Sequence, residues 1–214
     1  MDRPSDPSHC YRSHRTDRTT ARRPGIGAFR RAETLRRVGR TREAISEYAR
    51  AVELAPDDGY YHCRYAEALL ELGSIDEAAD TLAGACSVEP DNPYYHYRLG
   101  EVQYMRGRMD AAIMRLYRAA DLAKEDAYYY ARLGSLCYQA GRPSEAAQAL
   151  AAAIRLTPDN AAYHCLLADV YVRLGSDQYA LKHYRQAGML GDYDAQLVAR
   201  IRRFLPLRSN DRLR

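Results

Sequence analysis

The sequence is poor in the large aromatic residues that usually fill protein cores. Among 214 residues there is no tryptophan and there are only two phenylalanines, whereas tyrosine occurs 19 times. No run of 18 consecutive apolar residues occurs, so the sequence predicts no membrane-spanning helix. The N-terminus also lacks the apolar core of a signal peptide. These absences argue against a membrane protein or an exported one.

The cysteines lack the spacing of the common disulfide and zinc frameworks. The sequence has five cysteines, an odd number, and no CxxC pair. A disulfide framework or a zinc site built on paired cysteines is therefore not indicated. Because unpaired thiols persist in a reducing compartment, we expect a cytoplasmic protein.

Arginine is concentrated at the two ends of the chain. Residues 1–24 hold six arginines and three aspartates, and residues 200–214 hold six arginines and one aspartate, which leaves 20 basic and 24 acidic residues between them. The composition of residues 1–24 predicts a disordered basic arm. Such an arm is either simply solvated or a contact for nucleic acid or an anionic surface. The second possibility gives an alternative function, in which the chain binds nucleic acid or an anionic surface through its arginine-rich arms.

A 34-residue repeat is the strongest pattern in the chain. Three residue series recur with that period: Gly39, Gly73, Gly107, Gly141 and Gly175; Ala44, Ala78, Ala112, Ala146 and Ala180; Ala51, Ala85, Ala119, Ala153 and Ala187. Glycine after a helix permits the positive φ of a helix stop, and alanines seven residues apart allow two helices to approach closely. The repeat therefore predicts pairs of packed helices.

Helix boundaries follow from the apolar spacing and from these stop signals. First helices are predicted near 26–38, 60–72, 94–106, 128–140 and 162–174, and second helices near 42–54, 75–88, 109–122, 143–156 and 177–189. Asp or Asn after the repeat's proline position is expected to cap the next first helix. The candidate caps are Asp57, Asp91, Asn92, Asp159 and Asn160.

The unit resembles the tetratricopeptide repeat, as in "YYHYRLGEVQYMRGRMDAAIMRLYRAA" and "YYYARLGSLCYQAGRPSEAAQALAAAIRLTPDN". The family's tryptophan position holds His62, His96, Tyr130 and His164, and Ala28 in the first unit. The resemblance implies an all-α fold, a right-handed superhelical solenoid of five helix-turn-helix repeats. The expected repeats are 25–58, 59–92, 93–126, 127–160 and 161–194. Residues 195–214 are expected to form a capping helix and a basic tail, and residues 25–194 one continuous domain.

No constellation for catalysis or for binding a metal or cofactor emerges from the residues. The pairs His62–Cys63 and His164–Cys165 occupy equivalent positions three repeats apart, so they cannot converge on one ion. Their histidines fill the family's aromatic position and are predicted to serve packing. We therefore expect no enzyme activity, no catalytic residue, no metal site, no cofactor and no small-molecule substrate.

The family's first helices line a concave groove, and the resemblance places the following candidate binding residues there: Tyr60, Tyr94, Tyr97, Tyr104, Tyr128, Tyr138, Glu67, Glu101 and Asp169. These side chains either replace the absent tryptophan and phenylalanine, or they bind a peptide. Tyrosine offers large and stiff contact area, and a row of carboxylates attracts basic segments. The expected function is a protein–protein interaction scaffold or adaptor with a protein or peptide partner that is basic or contains aromatic residues. Acidic groups in the slots of the family's chaperone-tail clamp argue against that ligand.

Overall fold

The computed structural model describes residues 23–191 together with Leu197 and Arg200. The described part is helical, with consecutive helices joined by short turns, as the repeat predicts. The helices are: α1 (Ile26–Arg37), α2 (Thr41–Leu54), α3 (Gly59–Glu71), α4 (Ile75–Val88), α5 (Pro93–Met105), α6 (Met109–Leu122), α7 (Ala127–Gln139), α8 (Pro143–Leu156), α9 (Ala161–Arg173) and α10 (Asp177–Leu190). Each predicted helix is confirmed within one residue at either end.

The helices pack as five consecutive antiparallel pairs, each made of a first and a second helix. The all-α repeat fold expected from the resemblance is therefore confirmed. The chain divides into two compact units, one ending at Leu122 and one beginning at Ala123. The first unit contains α1–α6, and the second contains α7–α10.

The repeated glycines and alanines have the roles predicted for them. All five glycines that follow the first helices have φ between 70° and 79°. At Gly73 this conformation lets the Ser74 N–H reach the Leu69 carbonyl at 3.0 Å, which closes the end of α3. The two alanine series are at most 1% exposed. Larger side chains at those positions would force the paired helices apart.

The observed caps correct part of the sequence prediction. Asn92 and Asn160 cap α5 and α9 as expected, but α3 is capped by Asp58 and not by Asp57. The capping carboxylate must lie directly before the first helical residue, because its oxygen accepts from the N–H groups two and three residues later. Asp91 and Asp159 are each one residue too early for the same reason. Asp126 caps α7, where its Oδ1 atom accepts from the Tyr128 N–H at 2.9 Å.

Most of the predicted terminal segments lies outside the described residues. This applies to residues 1–22 of the basic arm and to residues 195–214 except Leu197 and Arg200. Leu197 is buried in a cluster with Ala168, Ala180, Tyr184 and Ala187. This contact agrees with a covering role for the segment after α10, while the capping helix as a whole stays a prediction.

The histidines of the family's tryptophan position have a repeated structural role. His62, His96 and His164 each place Nε2 2.9–3.0 Å from the carbonyl oxygen of the proline six residues earlier. The N–H of Nε2 donates in each case, since a carbonyl only accepts. The bond ties the start of each first helix to the preceding turn. These hydrogen bonds give His62 and His164 a structural role, in agreement with the prediction.

His164 is additionally paired with His183 of α10, with the two Nδ1 atoms 2.9 Å apart. In the tautomer that donates through Nε2, His164 accepts at Nδ1, and Nδ1 of His183 is then the donor. The His183 ring also stacks on Tyr171 at 5.6 Å between centroids. Burial, together with His164 and Lys182, lowers the pKa of His183 to about 4.

This pair predicts that the chain loses stability in mild acid. Between pH 6.5 and about 4 the unfolded chain protonates His183 while the folded chain does not. The free energy of unfolding should therefore fall by about 1–3 kcal/mol as the pH falls across that window. Urea unfolding of wild type and His183→Gln at pH 7.5 and pH 5 measures the effect. The advantage of wild type should shrink at pH 5, and a difference that does not change with pH would contradict the assignment.

Candidate functional site

The first helices of the first unit present a common surface, which we call the first-helix face of residues 23–122. Contacts between α1, α3 and α5 define it, and helical spacing extends it along α5 to Glu101 and Tyr104. Its members are Glu33, Arg36, Tyr60, Arg64, Glu67, Glu71, Tyr94, Tyr97, Arg98, Glu101 and Tyr104. Six of the nine predicted groove residues belong to this face.

An ion-pair ladder connects α1 to α3 across this face. Arg64 of α3 donates from Nε and Nη2 to the two oxygens of Glu33, both at 2.9 Å. Its Nη1 atom donates to Glu67 Oε2 at 2.6 Å. Burial raises the pKa of Glu33, but hydrogen bonds from Arg64 and Tyr48 and the charges of Arg64 and Arg36 outweigh it, so the pKa is lowered. Glu33 is therefore held as a carboxylate by its own chain.

Glu67 lies at the centre of the ladder and accepts from several donors. Besides Arg64, Nη1 of Arg36 lies 3.4 Å from Glu67 Oε2, and the Tyr94 hydroxyl donates to Oε1 at 3.2 Å. Nη2 of Arg98 lies 3.9 Å from Oε1. Arg36 has a closer partner in Glu71, at 2.6 Å. Three arginines thus surround one carboxylate that is only 13% exposed.

The tyrosines of this face are not equally available. Tyr60 and Tyr94 are half-buried, with Tyr60 5.3 Å from the Phe29 ring centroid and Tyr94 6.2 Å from that of Tyr97. Tyr97 is only 8% exposed. Burial and the neighbouring Glu67 raise the pKa of Tyr94, so its hydroxyl stays protonated and donates. Tyr104, two turns after Tyr97, is partly exposed.

The other three predicted residues, Tyr128, Tyr138 and Asp169, belong to the second unit. Tyr128 is half-buried beside Tyr129, with ring centroids 6.0 Å apart. The Arg173 guanidinium lies 5.0 Å from the Tyr138 ring centroid, within cation–π distance. Asp169 accepts a short hydrogen bond from the Tyr184 hydroxyl and pairs with Arg200 at 3.5 Å. Each of these contacts lies within the second unit.

The arginines of the ladder were not among the predicted site residues, although their regular spacing is visible in the sequence. Arg30, Arg64, Arg98 and Arg132 follow the 34-residue period, one position after the fifth residue of each unit. Arg64 and Arg98 lie 31 residues after Glu33 and Glu67, the carboxylates they approach, and Arg200 lies 31 residues after Asp169. The row of acids that was expected to attract a basic ligand is therefore accompanied by a row of arginines.

The described residues offer no arrangement for metal or thiol chemistry. No group of three or more His, Cys, Asp or Glu side chains among them could hold a metal ion. Burial raises the pKa of Cys86 and Cys137 to about 11, which keeps both thiols protonated and unreactive. None of the described helices is long and apolar enough to cross a membrane.

Comparison with protein families decides what the repeated helix pairs are. Models described as tetratricopeptide repeat match residues 35–101 and 84–129, and one described as TPR repeat matches residues 134–175. The chain belongs to the tetratricopeptide repeat family. Proteins of this family are protein–protein interaction scaffolds, and their fold is typically non-catalytic. The resemblance inferred from the sequence is confirmed.

Solved structures show the same fold at low sequence identity. The protein MamA superposes with a TM-score of 0.72 at 20% identity over 80% of this chain and 94% of its own. YrrB, described as a TPR protein with an unusual peptide-binding site, gives 0.70 at 21% identity over 84% and 92%. PilF of Pseudomonas aeruginosa gives 0.66 at 19% identity over 84% and 82%. No curated protein sequence matches this tetratricopeptide repeat chain.

Proposed function

We propose that this tetratricopeptide repeat chain is a scaffold or adaptor that holds an extended segment of a partner protein against the first-helix face of residues 23–122. Tyr60, Tyr94 and Tyr104 support this function most directly, because they present partly exposed rings from successive first helices. Tyrosine is favoured at binding surfaces since it buries much area at small entropic cost. YrrB, which shares the fold, is itself described as having a peptide-binding site.

The ion-pair ladder supports binding by fixing the shape of this face. Arg64 spans Glu33 and Glu67, and Arg36 spans Glu67 and Glu71, so α1 and α3 are connected at several points. A surface ordered before binding loses less conformational entropy when its ligand arrives. The four described cysteines are free thiols, which supports a reducing compartment such as the cytoplasm.

The expected preference for aromatic partners is retained, and the preference for basic partners is not. Glu67 was expected to help attract a basic segment, but it accepts a hydrogen bond from Arg64, and the neighbouring Glu33 also accepts from Arg64. A basic ligand would have to replace that arginine, which lowers its net gain. Contacts to the tyrosine rings carry no such cost.

Tyr104→Ala tests the proposal. Tyr104 is chosen because it is partly exposed, whereas Tyr97 is buried and its removal would disturb the core. We expect partners captured by the wild-type chain from its own cells to bind the variant at least tenfold more weakly, a loss of about 1.4 kcal/mol or more. Tyr117→Ala is the matched control, since Tyr117 is 67% exposed on α6. Equal loss in both variants, or in neither, would reject the first-helix face as the site.

A further inference from the structure

We infer that Arg98 receives a carboxylate side chain of the bound segment, so that the preferred partner sequence is acidic and aromatic. This inference rests on the proposed function, since it names a ligand group for the same face. Arg98 lies on α5 one turn after Tyr94 and directly after Tyr97, and its side chain is 25% exposed. A ligand side chain that contacts the half-buried Tyr94 is therefore within reach of the guanidinium.

Arg98 is poorly paired compared with the other two arginines of the ladder. Its closest carboxylate oxygen is Glu67 Oε1 at 3.9 Å, which is too far for a hydrogen bond. Its Nε atom is buried and has no hydrogen-bond acceptor. Arg64 and Arg36, by contrast, each donate to a carboxylate at 2.6 Å. Arg98 thus retains donors that its own chain leaves unused.

Glu67 cannot accept a hydrogen bond from Arg98 without losing one of its present donors. Its two oxygens already accept from Arg64, lie 3.4 Å from Arg36, and accept from the Tyr94 hydroxyl. A carboxylate offers about four lone-pair directions, so a close approach by Arg98 would compete with these donors. A carboxylate from a ligand can pair with Arg98 without displacing any of the donors that bind Glu67.

The chemistry of the missing acceptor follows from the geometry of the guanidinium. Its planar fork of N–H groups matches a carboxylate in a two-point contact, which a neutral amide forms much more weakly. The neighbouring Tyr94 ring, which is half-buried, favours an aromatic or apolar residue beside the acid.

Selection of peptides from a random display library on the full wild-type chain tests this inference. We expect the selected peptides to share an Asp or Glu at a fixed distance from an aromatic or apolar residue. A synthetic copy should bind Arg98→Gln at least tenfold more weakly than wild type, and Arg98→Lys should restore only part of the loss. Arg118→Gln, on α6 and paired with Asp91 at 3.1 Å, is the matched control and should bind like wild type.

The same peptide with its acid changed to the amide completes the test. This change should weaken binding to wild type at least tenfold and leave binding to Arg98→Gln nearly unchanged, which identifies the two groups as partners. If the selected peptides require Tyr104 but carry no acid, or if they bind Arg98→Gln as tightly as wild type, the role of Arg98 is wrong. The proposed function would still stand in that case. If no peptide is selected, or if binding ignores Tyr104→Ala, the proposed function fails and this inference fails with it. Urea unfolding of each variant confirms that the fold is retained.

Discussion

Replacing Ala112 by leucine is expected to lower the free energy of unfolding by about 1–3 kcal/mol. Ala112 is fully buried in α6, and a Cβ atom added at Gly100 of α5 would lie 3.3 Å from the Ala112 carbonyl oxygen. This short distance shows how closely the two helices of the third pair approach. Three additional heavy atoms cannot enter without moving α5 and α6 apart.

Ala111→Leu provides the matched control for this prediction. Ala111 precedes Ala112 in the same helix but is exposed, so the same substitution adds no buried volume. Surface changes of this kind normally alter stability by less than about 0.5 kcal/mol. Urea unfolding followed by circular dichroism gives both values. If Ala112→Leu is no more destabilising than Ala111→Leu, then close helix contact is not the reason for the repeated alanine.

Glu67→Gln is expected to cost about 2–4 kcal/mol of stability, because one neutral amide replaces the carboxylate shared by three arginines. The amide keeps the size of the side chain, but it removes the charge that balances Arg36, Arg64 and Arg98. It also presents an NH₂ group where an oxygen accepted before. Partial exposure of the arginines places the expected cost below that of a fully buried pair.

The same change at Glu53, which is exposed on α2, is the control for charge alone and should cost less than about 0.5 kcal/mol. Urea unfolding at low and high salt measures both variants. The excess loss at Glu67 should persist in high salt, because groups removed from solvent are screened less than exposed ones. Equal losses at the two positions would show that the ladder does not stabilise the first unit.

The residues that fix the helix ends and the spacing between helices were predicted best from the sequence. Gly73 and its equivalents were predicted to need positive φ, and Ala112 and its equivalents to need burial, because each requirement excludes almost every other residue type. Caps were harder to assign, because two polar residues stand side by side at Asp57–Asp58 and at Asp91–Asn92. Only the exact start of the helix decides which of them accepts from its N–H groups.

The ladder could not be predicted from one unit, because its contacts join different repeats. Arg64 is bonded to Glu33 of the preceding unit, and that pairing depends on the distance between α1 and α3. The groove residues named from the family resemblance also leave out the repeat position that Arg64 and Arg98 occupy. The tyrosines were identified, but their unequal exposure depends on neighbours such as Phe29 and Glu67.

The ladder and the incomplete pairing of Arg98 together give the first-helix face its proposed selectivity. Arg36 and Arg64 have carboxylates of their own and serve the shape of the face. Arg98 has only the shared Glu67, at 3.9 Å, and its side chain is 25% exposed, so we propose that it contacts a ligand. Rigid aromatic contact then supplies affinity, and the unused guanidinium supplies preference for one charge.

Site-specific photo-crosslinking tests the binding role of this face most directly. A photoreactive phenylalanine derivative is placed at position 104 in one variant and at position 117 in another, and both are illuminated in the chain's own cells. If the first-helix face binds the partner, a discrete partner adduct forms from position 104 and is absent from position 117. Adducts that are the same from both positions, or that form from position 117 alone, would contradict binding by this face.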